Sequence, residues 1–203
     1  MATKNITLRI STITLFILFA AFSRLIPHPP NFAPIGAMAL FGAAYFSQRY
    51  LAFIIPIISM WLSDLVINNV VFAHYFNGFV WAYDGFYWTY GAFIIISLVG
   101  FVLLKKVNPQ RLIVSSLAAS VLFFIISNFG VWASGMMYPK NISGLMACYI
   151  AGIPFFKNTL LGDLVYCTAM FGIFEIMQYK IPKLRENKVA VGENDDALKI
   201  KHK

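Results

Sequence analysis

Charge and cysteine are scarce in this chain. Only 12% of its 203 residues are charged, 16 basic against 8 acidic, where soluble domains carry about a quarter. So little charge cannot cover a water-facing surface, and the 60% hydrophobic content and mean hydropathy of +0.73 point to an integral membrane protein. Cys148 and Cys167 lie in or beside apolar stretches without CxxC spacing, which argues against a disulfide framework or a zinc site and reads as free buried thiols. HExxH, GxSxG and a Gly-rich phosphate loop are also missing, and Ser134 has no partner histidine at matching depth. Neither an enzyme, a catalytic residue nor a cofactor is expected. The first apolar run lacks a small-x-small cleavage site and is long enough to span, so it reads as a retained helix.

What is present is a series of apolar runs. About twenty such residues cross a ~30 Å hydrocarbon core as a helix. On that rule the chain predicts an all-α fold of six transmembrane helices, at about 8–26, 32–47, 51–69, 87–104, 112–133 and 156–178. Basic residues cluster before the first run, at Arg49, at Lys105, Lys106 and Arg111, and from Lys180 onward, whereas the 71–85 connection has none and 134–154, whose second half is expected to form a short interfacial helix, only Lys140. That bias predicts a multi-pass protein of the bacterial inner membrane with both termini in the cytoplasm. It also accounts for the net charge of +8 without nucleic acid. The transmembrane domain is drawn at 1–182, and the polar, mixed-charge residues 183–203 read as a disordered cytoplasmic tail.

Polar groups within spans are costly and mark a polar interior. Asp64 shares a helical face with Trp61 and Asn68, Asn128 shares one with Trp132, and Asn158 and Asp163 lie in the sixth run. Arg24 closes the first run, and His28 and Asn31 follow in the Pro-rich turn RLIPHPPNFAP, where the prolines hold the backbone extended. On the predicted topology all of these gather in the outer half, where a cavity lined by polar groups and aromatics is expected. Each has a plain alternative. Arg24 is a snorkelling residue, a ligand contact, or the charge balance of Asp64 or Asp163; the two aspartates are structural or bind a ligand or ion; His28 is a ligand contact or an ordinary loop residue. The aromatics at 81, 83, 87, 88 and 90 read first as an interfacial belt, and Glu175 is expected to snorkel toward Lys180. Gly36, Ala39, Gly42 and Ala43 allow close packing and predict that the short second helix is buried at the centre.

The runs SRLIPHPPNFAPIGAMALFGAAYF, WLSDL, SNFGVW and GLMACYIAGIPFFKNTLLGDLVY resemble a bacterial family of small, uncharacterised membrane proteins, over about residues 8–178. More distantly they are similar to the S components of energy-coupling-factor (ECF) vitamin transporters, above all the solitary type that takes up cobalamin. The resemblance implies a six-helix S-component-like bundle that binds a vitamin or related small molecule, cobalamin-like among the candidates, from the outer face. It implies ligand contacts from His28, Asp64, and Tyr83 or Tyr87. The cobalt-ligating cysteine of those members has no counterpart at 70–90, where His74 is the one candidate metal ligand. The first helix has Ala20 and Ala21 side by side where many S components carry an Ala-xxx-Ala docking patch. Expected partners are the small-molecule substrate and membrane lipid, with an ECF ATPase module or a second copy as further candidates. The rival expectation is a non-transporting scaffold or assembly factor that docks a partner through its outer loops.

Overall fold

A computed structural model describes residues 2–185. The described residues form six α-helices, with no strand among them: α1 (Ala2–Ser23), α2 (Ile35–Tyr45), α3 (Leu51–Val66), α4 (Phe86–Leu103), α5 (Pro109–Ser134) and α6 (Ile142–Lys180). All but α2 are long and apolar enough to cross a membrane, and that length and composition point to a multi-pass membrane protein. The tail read as disordered lies outside the described residues from 186 onward. Before that point Pro182–Leu184 forms a 3-10 turn, and the buried Leu184 packs two residues beyond the boundary drawn at 182.

Two of the six expected spans need correction. The run 32–47 yields only 11 helical residues, about 16 Å at 1.5 Å per residue, too short to cross the hydrocarbon. Pro34 sets its start, and Phe46 turns to extended backbone at its end. The sixth helix begins not at 156 but at Ile142, where the Asn141 side chain accepts from the Gly144 amide. It runs 39 residues without a break through Pro154, so the short helix expected in the second half of 134–154 is the first part of α6 and packs on the last turns of α5 through Tyr149 and Cys148.

The shortness of α2 organises the bundle. It is apolar on every side and touches all five other helices, so nearly every one of its residues is buried. Phe41 sits among Phe16, Tyr45, Phe171 and Phe174 with ring centroids 4.9–5.5 Å away. Small residues let the backbones close: a Cβ at Gly100 of α4 would lie 2.7 Å from that of Ala43. A buried helix that reaches neither interface leaves its terminal amides and carbonyls without water. Both ends are therefore met by side chains. Arg9 of α1 donates to Tyr45 O at 2.9 Å, to Leu184 O at 2.5 Å and to Gln178 Oε1 at 3.1 Å. At the other end the buried Asp163 carboxylate of α6 faces the first-turn amides of Gly36 and Ala37. The basic side chain stands at the carboxyl end and the acidic one at the amino end, the arrangement that the helix dipole favours. Glu175 does not snorkel toward Lys180, because its Oε1 accepts from the buried Tyr45 hydroxyl at 2.6 Å.

Candidate functional site

At the Asp163 end of α2 the helices part around a cavity of about 640 Å³. Its cover is the turn between α1 and α2. Asn31 holds a left-handed φ of 63°, a conformation that asparagine tolerates better than most residues. The turn is fixed to α6 by Asn158 Nδ2, which donates to Pro30 O at 2.8 Å. It approaches α6 so closely that a Cβ at Gly162 would sit 3.1 Å from Ala33 N. His28 Nδ1 donates to Ile26 O at 2.6 Å.

Polar groups converge from four elements. Arg24, His28, Asn31, Tyr83, Thr89, Thr159 and Asp163 line the space among apolar walls from Ile35, Met60, Phe72 and Phe123. The end of α3 widens into a π turn at Ile67–Val71, whose Ile67 and Val71 also face the cavity; such turns recur at functional sites. Arg24 Nη1 pairs with Asp64 Oδ1 at 2.7 Å and also reaches Ser63 Oγ at 2.7 Å, while Asp64 Oδ2 accepts from Tyr90 at 2.8 Å. At the floor Asp163 Oδ2 accepts from Ser120 at 2.7 Å, and Oδ1 closes no well-formed hydrogen bond. Burial pushes the Tyr83 phenol above its ordinary pKa, so the hydroxyl stays a neutral donor.

Of the residues singled out from the sequence, Arg24, His28, Asn31, Tyr83 and Asp163 meet at this cavity. The others stand elsewhere. Asp64 lies one contact behind the wall as the partner of Arg24, and Asn68 is buried on the π turn without lining the space. Asn158 acts on the turn. Asn128 Nδ2 donates to Phe124 O in its own helix, and Trp132 donates to Pro139 O in the α5–α6 connection. Tyr87 is exposed beside Phe86 and Trp88. His74 is exposed against Tyr75, and the described residues contain no cluster of three or more metal-ligating side chains. Sequence reasoning passed over Thr89, Thr159 and Asn69. Asn69 brackets the 72–85 loop through Val80, with its side chain both donating to Val80 O and accepting from Val80 N. The capping habit of asparagine was the available signal there.

The structure is thus an all-helical bundle, five of its helices long and apolar enough to cross a membrane, with a polar-lined internal space at one end. The chain belongs to a family of unknown function, DUF6580, whose profile matches residues 4–184. No curated protein and no solved structure matches it. The likeness to ECF S components therefore rests on the sequence motifs alone.

Proposed function

We propose that the cavity is a ligand site and that the protein is a substrate-binding membrane uptake protein of the S-component type, with a vitamin or related small molecule as its cargo. The observation that carries this reading is the cavity itself. Its volume of about 640 Å³ falls within the ~300–1,000 Å³ of small-molecule sites, and its apolar walls with a few convergent polar groups are the usual lining of one. A molecule of one or two rings fits this space, whereas a whole corrinoid would project beyond its walls. With both termini in the cytoplasm of a bacterial inner membrane, the cavity opens outward beneath the Pro-rich turn. The basic residues Arg9, Arg49, Lys105, Lys106 and Arg111 at the opposite end of the helices support that orientation.

The scaffold reading draws on a different observation, that Arg24 and Asp64 are spent on each other. It has no use for a cavity of this size. The test is mass spectrometry of small molecules that co-purify with the protein from cells grown in rich medium, with His28→Ala as control. His28 makes one local hydrogen bond and is exposed, so its loss leaves the fold intact. A stoichiometric compound held by the wild type and depleted in the variant supports uptake. A blank in both shifts the reading to the scaffold.

A further inference from the structure

Arg24 shows which chemical group the cavity is built to read. A guanidinium Nη group carries two protons, and in Arg24 Nη1 spends them on Asp64 Oδ1 and Ser63 Oγ. Ser63 passes its own proton to Met60 O, and Asp64 Oδ2 is occupied by Tyr90, so neither partner is free to turn toward the rest of the guanidinium. Nε and Nη2 make no hydrogen bond within the described residues, yet neither is sealed from open space, and the side chain lines the cavity. These two nitrogens form one edge of the guanidinium. Their N–H bonds run parallel and match the two oxygens of a carboxylate, which is why arginine is favoured for bidentate recognition. The ion pair thus holds Arg24 in place by one nitrogen and leaves the fork presented.

We propose that the ligand of this cavity carries a carboxylate, docked side-on against Nε and Nη2 of Arg24, with its apolar body against Ile35, Met60, Phe72 and Phe123. The proposal rests on the reading of the cavity as a ligand site. Asp163 at the floor offers a carboxylate no donor, since its oxygens are turned to Ser120 and to the first-turn amides of α2, so the carboxylate of the ligand belongs at the Arg24 end.

The test is calorimetric titration of the purified protein in phosphatidylcholine nanodiscs with benzoate and with benzamide. The amide has the same shape but turns a donor toward a donor. Benzoate is expected to bind about tenfold or more tightly, the value of a charge-assisted bidentate contact. In Arg24→Lys, which keeps a cation for Asp64 but has no fork, that ratio should fall several-fold. Equal affinities in the wild type, a ratio retained in Arg24→Lys, or no binding of either probe at millimolar concentration overturns the inference. Should the variant fail to fold, the wild-type comparison decides alone. A co-purifying compound that lacks a carboxylate sinks this inference and leaves the ligand-site reading standing. Failure of both probes together with a blank co-purification removes both.

Discussion

The two ends of α2 pose one physical problem and receive opposite answers. At the carboxyl end the carbonyls meet Arg9, whose long side chain also binds Leu184 O and Gln178, so three elements are drawn together and the space is filled. At the amino end the amides meet Asp163, a short side chain on a helix kept close by Gly162, and the neighbouring elements stand apart around a cavity. A guanidinium has five donors to distribute, whereas a carboxylate only accepts. The contrast teaches that satisfying a buried helix end does not require closing it: one end is filled, and the other keeps the space on which the proposed ligand site rests.

Breaking the closed end has the largest expected effect. Arg9→Leu leaves the carbonyls of Tyr45 and Leu184 without their donor, at about 1–3 kcal/mol each. It should lower the thermal unfolding midpoint sharply in nanodiscs while any protein that folds keeps its ligand. At the open end Asp163→Asn turns an N–H donor toward Ser120 or the α2 amides where a carboxylate oxygen accepts, a loss of about 1–3 kcal/mol measured by the same unfolding assay. Glycine substitution sharpens the comparison. A Cβ at Gly36 would lie 2.5 Å from Asp163 Oδ1, whereas one at Gly172 meets nothing within 4 Å. Gly36→Ala should therefore cost about 1–3 kcal/mol by overpacking, and Gly172→Ala should be neutral or stabilising. Asn158→Ala frees the turn at Pro30; the cost in stability is about 1 kcal/mol or less, and the signature to look for is faster ligand release.

The smallest effect concerns pH. Because burial raises the Tyr83 phenol above its ordinary 10.0, this group remains protonated in the folded protein when an unfolded tyrosine begins to ionise. Its contribution to stability is full below 10.0 and declines only as pH rises beyond it. Ligand affinity should thus be flat from neutral pH to about that value as far as Tyr83 is concerned, and Tyr83→Phe should remove any alkaline decline that titration detects.

Much of the cavity was legible in the sequence because prolines and intramembrane polar groups are rare and expensive. The stretch from Arg24 to Asn31 and the isolated Asp163 stood out against an apolar background for that reason. The roles were harder to read. That Arg24 would balance Asp64 or Asp163 was one reading of the sequence, and only the fold chose Asp64; Asn158, singled out as a ligand contact, tethers the turn. Asn128 and Trp132 share a helical face as spacing requires, but they bond to nearby carbonyls. Arg9 was read as one more basic residue at a membrane edge, since nothing local distinguishes a snorkelling arginine from one buried against a helix end. Hydropathy likewise counts apolar residues without showing where they stop being helix. That is why the run at 32–47 looked like a span and the helical second half of 134–154 was read apart from the sixth helix that it opens.

The sequence by itself determined the class of protein. Scarcity of charge and runs of apolar residues leave the helix as the structure that satisfies its own backbone in lipid, and small residues through 36–43 make the second helix one that can be buried. The tertiary structure alone decided that this helix would be half the length of a span, that Asp163 and Arg9 would face its two ends, and that Arg24 would give one nitrogen to Asp64 and keep two for the cavity. Those outcomes depend on which groups from distant parts of the chain arrive within hydrogen-bond reach, and periodicity along a single helix holds no record of that.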